Sequence, residues 1–194
     1  MKQILFLGAF LLLACTAYAQ LAEKPKTLST KVRNETPKRP IFSPNGKQLA
    51  AGVFGAIRVW DLTSEDFRDY PTKVRNETPQ FLVFSPDGKH LAAGVFGAVR
   101  VWQLESGEYR DYPTEVSNET PISVVFSPDG AYLAAGVFGA VRIWKKDSDQ
   151  FQDLKTIVRN ERPAFVQFSP DGRQLSAGVF GAVRVWEMPE WGGK

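Results

Sequence analysis

The sequence predicts an all-β repeat protein. A 42-residue text recurs four times without a gap, each copy carries four short strand patterns, and turn signals separate those patterns. The units begin at Lys31, Lys73, Glu115 and Ile157, giving 31–72, 73–114, 115–156 and 157–194. The second unit runs KVRNETPQFLVFSPDGKHLAAGVFGAVRVWQLESGEYRDYPT.

Ahead of the repeats, residues 1–19 read as an export signal. Lys2 is a short positive start, Ile4 to Ala14 is an uncharged apolar run, and Ala17-Tyr18-Ala19 is a small-x-small cleavage pattern that makes Gln20 the new N-terminus. The run is too short to span a bilayer. A rival processing route is a lipobox, Leu12-Leu13-Ala14-Cys15, in which Cys15 takes a lipid anchor. Soluble export is favoured, because the Ala-x-Ala site is good and leucine before the alanine is not the preferred lipobox residue. Cys15 is the only cysteine, so cleavage after Ala19 leaves a chain that must hold itself together by core burial alone.

Residues 20–30 form a linker and a candidate closing strand, with Pro25 to Val32 in the phase of a fourth strand. Within the second unit, Phe81 to Phe84 is a short apolar strand ending at Ser85-Pro86-Asp87-Gly88. In that turn proline supplies φ near −65° and glycine a positive φ. Leu91 to Phe96 follows as a small-residue strand, and Gly97-Ala98 reads as a two-residue hairpin loop with glycine first. Val99 to Leu104 and the more polar Tyr109 to Val116 are the third and fourth strands.

That loop sets a register. Ala93 is expected opposite Trp102, with Ala51/Trp60, Ala135/Trp144 and Ala177/Trp186 as the equivalents, so that each indole lies over a tiny neighbour in the core. Trp60, Trp102, Trp144 and Trp186 are therefore read as structural residues.

The run VFSPDGKHLAAGVFGAVRVW, in four close versions, resembles the WD40 repeat, and its Phe-Ser-Pro-Asp-Gly portion is also similar to TolB-like propeller repeats. The resemblance covers about Pro25 to Met188 and implies a β-propeller of four four-stranded blades. The chain departs from the family in its polar groups. Asn-Glu-Thr-Pro text occupies the Gly-His region, Ala51, Ala93, Ala135 and Ala177 replace the hydroxyl residue, and only Trp60-Asp61 keeps the Trp-Asp pair. The network that holds the family's tryptophans is therefore absent, and each indole N–H needs another acceptor. Seven blades are usual in the family. Four imply either a tight four-bladed ring or two chains paired as half-rings into an eight-bladed homodimer, since an open half-ring leaves a bare edge and face.

By the same resemblance, the loops between fourth and first strands share one face with the second-to-third-strand hairpins. That face carries Arg33-Asn34-Glu35, Arg75-Asn76-Glu77, Ser117-Asn118-Glu119 and Arg159-Asn160-Glu161, with Phe54, Phe96, Phe138 and Phe180 nearby. Repeated Arg, Asn, Glu and Phe around one mouth make a recognition surface for a protein or a glycan. Against this, Asn-Glu-Thr-Pro is ordinary turn chemistry, which is the favoured reading of those segments, and packing between blades is the favoured role of the phenylalanines. A ring of Glu35, Glu77, Glu119 and Glu161 would suit a cation on the axis, but solvated loop carboxylates are the commoner arrangement, so no metal and no cofactor is expected.

The Asn-Glu-Thr triplets match the glycosylation sequon, but the proline after each disfavours transfer. The first unit is degenerate: Lys38-Arg39-Pro40 replaces Gln80-Phe81-Leu82, and a proline there fits only an edge strand.

Charge excludes one partner class. The 24 basic and 21 acidic residues are interspersed, without the basic stripe that a nucleic acid requires. Catalysis has little support either. His90 is the sole histidine, stands where other units have Gln48, Tyr132 and Gln174, and has no nucleophile or metal motif beside it. The sequence therefore points to an exported, non-catalytic binding module, secreted or periplasmic in a bacterium. The alternative is a structural part of an envelope complex that works by oligomerising.

Overall fold

The computed structural model describes residues 25–31, 35–73, 78–79, 81–116, 119–158 and 161–189. The export-signal reading, with Cys15 and Ala17 to Gln20, lies outside these residues. The described chain is all β, in four antiparallel sheets. Blade 1 is β1 (Lys38–Phe42), β2 (Gln48–Val53), β3 (Ala56–Asp61) and β4 (Phe67–Pro71). Blade 2 is β5 (Leu82–Phe84), β6 (His90–Val95), β7 (Ala98–Gln103) and β8 (Tyr109–Pro113). Blade 3 is β9 (Ile122–Phe126), β10 (Tyr132–Val137), β11 (Ala140–Lys145) and β12 (Phe151–Lys155). Blade 4 has three strands, β13 (Ala164–Phe168), β14 (Gln174–Val179) and β15 (Ala182–Glu187).

Each sheet is a meander in sequence order, as short loops between consecutive strands dictate. The Ser-Pro-Asp-Gly turn works as its residue types demand. The Ser85 hydroxyl donates to Asp87 and accepts from the His90 amide at 2.9 Å, while Gly88 takes φ 68°. The Ser85 and Ser127 hydroxyls hold the Asp87 and Asp129 carboxyls below the usual carboxylate range, helped by the amides of Lys89 and Ala131. Pro40 sits in β1, which is an edge strand with an irregular register between Lys38 and Ile41, so its missing N–H is tolerated.

The hairpin loop lies one residue earlier than expected, which moves every cross-strand partner by two. The loop is Phe96-Gly97, with Val95 opposite Ala98, and Trp102 therefore faces Leu91, while Ala93 faces Arg100. Leu49/Trp60, Leu133/Trp144 and Leu175/Trp186 repeat this. The physical reason is the turn. Glycine is its second loop residue, taking φ 79° as in a type II turn, so phenylalanine rather than alanine shares the loop.

Blades pack face to face through a repeated apolar junction. Ala50, Ile57, Val59 and Tyr70 of blade 1 meet Leu82, Phe84, Leu91, Ala93, Val95, Ala98 and Trp102 of blade 2. The same positions recur between blades 2 and 3 and between blades 3 and 4. Each large apolar side chain buried this way contributes about 1.5–3 kcal/mol, which suits a chain that folds without disulfides. Trp60, Trp102 and Trp144 are core residues as expected, and Trp186 is half-buried. Each junction also needs a glycine. A Cβ on Gly52, Gly94 or Gly136 would fall on the carbonyl oxygen of Pro79, Pro121 or Pro163, the proline that follows each Asn-Glu segment.

Residues 25–31 form no strand, yet they occupy the place an outer strand of a preceding blade would hold against blade 1. Leu28 packs on Ala51, Val53, Ala56 and Trp60, and the Thr30 carbonyl accepts from Arg58 as the Thr72 carbonyl accepts from Arg100.

Candidate functional site: the hairpin face

Glu35, Glu119 and Glu161 share one end of the blades with the Phe-Gly hairpins, joined to them by hydrogen bonds. The Glu35 carboxylate accepts the Phe54 amide N–H, and Glu161 does the same for Phe180. The backbone carbonyls of Glu119 and Glu161 accept the N–H of Gly97 and Gly139, each in the hairpin of the preceding blade. One glutamate thus ties two adjacent hairpins, its carboxylate to its own blade and its carbonyl to the neighbour.

Glu119 is the extreme case. It is fully buried, and neither carboxylate oxygen has a hydrogen bond of normal geometry. Burial pushes its carboxyl above the usual range, opposed by the Phe138 amide and by the charges of Arg162 and Arg142. Of the other residues expected here, Arg33, Asn34, Arg75, Asn76, Glu77, Ser117, Asn118, Arg159 and Asn160 lie outside the described residues.

The phenylalanines stand out into solvent. Phe54, Phe96, Phe138 and Phe180 are between 38% and 85% exposed, one at the tip of every second-to-third-strand hairpin. Packing between blades therefore does not account for them. The Arg162 guanidinium lies over the Phe138 ring at 4.4 Å, adding a cation to this aromatic row. Among the described residues no group of three or more His, Cys, Asp or Glu is placed to hold a metal.

Two arrangements escape the sequence reading. The first is a trough of about 260 Å³ where the first strands of all four blades converge. It is lined by residues at one repeated position, namely Arg39, Phe81, Ser123 and Phe165. Arg39, Ser123 and Phe165 have left-handed φ of 44°, 63° and 53°, and Arg39 lies 4.8 Å over the Phe81 ring. No sequence signal singles this position out, because the residues before it (Lys38, Gln80, Ile122 and Ala164) and after it (Pro40, Leu82, Val124 and Val166) vary from unit to unit as well.

The second is a buried arginine–aspartate clamp repeated in the first three blades. Arg58, Arg100 and Arg142 each grip an aspartate eleven residues on, with Nε and Nη2 at 2.6 and 2.7 Å from Asp69, 2.6 and 2.7 Å from Asp111, and 2.7 and 3.0 Å from Asp153. The remaining Nη1 reaches back to a backbone carbonyl of the preceding unit, Thr30, Thr72 or Pro113. Phe67, Tyr109 and Phe151 stack on the guanidinium at 3.8–4.0 Å. The indole N–H groups of Trp60, Trp102 and Trp144 find no acceptor.

His90 lies apart from the hairpin face, in a cleft of about 210 Å³ with Tyr112 and Asp147. Burial and the Lys146 charge hold its imidazole below its ordinary pKa, and its Nδ1 is 3.9 Å from Asp87.

Comparison with known proteins places the chain in no group: no family model and no curated protein matches it. Among the described residues no helix is long and apolar enough to cross a membrane.

Proposed function

We propose that this chain is an exported, propeller-type binding module that recognises a protein or a glycan through its hairpin face and performs no chemistry. The observation that carries the reading is the row of exposed phenylalanines, one on each blade. Large aromatic side chains held at rigid hairpin tips supply contact area at little entropic cost, and aromatic anchors dominate recognition surfaces. A ring that existed only for packing would be covered.

The carboxylates beneath the row serve as its scaffold. Glu35 and Glu161 fix the amides of the very residues that project, so tip geometry is set by hydrogen bonds rather than left to a mobile loop. His90, the remaining candidate for acid–base chemistry, shares its cleft with Glu108, Tyr109, Tyr112 and Asp147, and no serine, threonine or cysteine is among the residues that line it.

The test is a combined Phe54→Ala, Phe96→Ala, Phe138→Ala and Phe180→Ala variant, profiled beside the unaltered chain on a glycan array and by proximity labelling of exported proteins. The melting temperature should stay within about 2 °C, because the rings are exposed. Ligands bound by the unaltered chain should be lost by the variant. Identical profiles would overturn the reading.

A further inference from the structure

Each end of the four-blade array carries half of the junction that its interior repeats three times. Phe84 is 7% exposed against blade 1, whereas Phe42, its equivalent in blade 1, is 67% exposed. At the far end Val183 and Val185 are 73% and 60% exposed, where their equivalents Val99 and Val101 are buried. Gly178 keeps the glycine that the other blades need beneath a following proline. Within the chain, a Cβ there would meet only the Ala164 carbonyl, at 3.4 Å, and the Phe165 ring, at 3.8 Å. Blade 4 lacks a fourth strand, and residues 25–31 are an outer strand in position without a sheet to join.

We propose that a second copy of this chain completes both ends, with residues 25–31 of each copy adding to the outer edge of β15 in the other. The repeat fixes the register. Tyr70 opposes Ile57 and Asp69 opposes Arg58, so Leu28 of one copy opposes Val183 of the other, and Thr27 opposes Arg184. By the same spacing Pro37 comes to rest on Gly178, and the Glu35 carbonyl accepts the Gly181 N–H, as Glu119 and Glu161 accept from Gly97 and Gly139.

A copy fits better than closure of the chain on itself. The chain's own three junctions leave Phe42, Val183 and Val185 uncovered, so closure in four blades requires blades to move relative to one another. A second copy continues the existing geometry and closes head to tail with two-fold symmetry, which removes both bare edges. This inference is independent of the hairpin-face reading, since its test uses no ligand.

The experiment places Thr27→Cys and Arg184→Cys together in a Cys15→Ser chain, so that the introduced thiols are the only ones. Facing positions on neighbouring strands lie within disulfide reach. Oxidation should yield a non-reduced species of two-chain mass, and light scattering of the unaltered chain should give the same mass. A one-chain species with an internal disulfide overturns the proposal in favour of four-bladed closure. Free thiols, or a ladder of higher multimers, overturn it as well. Gly178→Ala gives a second reading. It should leave the circular dichroism spectrum unchanged and shift the mass to one chain, because only the partner's proline contests that space. A Gly178→Ala chain that keeps its two-chain mass counts against the proposal.

Discussion

Gly94 and Glu119 carry the sharpest constraints on single residues. Gly94 has no room for a methyl group, because the Pro121 carbonyl occupies it. Gly94→Ala should therefore cost about 2 kcal/mol or more and lower the melting temperature by about 4–8 °C. Glu119 behaves in the opposite sense. Its folded-state pKa is raised by burial, so the folded chain favours the neutral acid. That contribution is complete below the unfolded-state pKa and is lost as pH rises through the folded value. Glu119→Gln keeps an oxygen for the Phe138 amide and should raise the melting temperature at pH 8 by about 2 °C or more, with the gain vanishing near pH 4. An equal effect at both pH values would show that the buried charge is not the cause. The tryptophan core was legible from an aromatic set in a period-two pattern. The role of the glutamates was not, because their partners are backbone amides nineteen residues away, which no side-chain pattern announces.

The elements themselves were written plainly in the sequence. Four strands per unit and the Ser-Pro-Asp-Gly turn follow from proline and glycine placement; three sheets have four strands and the last has three, while the expected closing strand at residues 25–31 is not formed. Register was harder, since a glycine can be first or second in a two-residue loop and one step of slip moves every cross-strand partner. The clamp depends on a different connection. Arg100 and Asp111 stand eleven apart in the text and face each other across β7 and β8, whose register is set by the turn of residues 104–108 and not by the Phe-Gly loop. Asp111→Asn leaves the buried guanidinium without its counter-charge and should cost about 1–3 kcal/mol, or about 2–12 °C, in a melting experiment. Asp149→Ala, which breaks the exposed pair with Arg110, should change little. Similar losses in the two variants would mean that the clamp contributes no more than a surface pair.

At the level of the whole molecule, the sequence led to the blade-repeat architecture but left the ends open. Self-similarity reports that neighbours pack alike, and it is silent on where the array stops. The answer lies in exposures that only coordinates supply, namely Phe42 at one end and Val183 with Val185 at the other. Because the hairpin contributes its backbone to the proposed contact and its phenylalanine rings stay exposed, the quadruple phenylalanine variant should retain the oligomeric mass of the unaltered chain. A fall in that mass would place the phenylalanines in assembly instead of recognition.

The sameness of the three junctions reaches beyond stability. Any blade can follow any other, so a copying slip that deletes or duplicates one whole 42-residue stretch hands the polypeptide the same two termini it had before. Such a change would alter the number of phenylalanine tips in the row while reusing the same junction residues, although joining the two ends of a longer or shorter array would still require a new angle at each junction. Inheritance can therefore lengthen or shorten this row in whole steps.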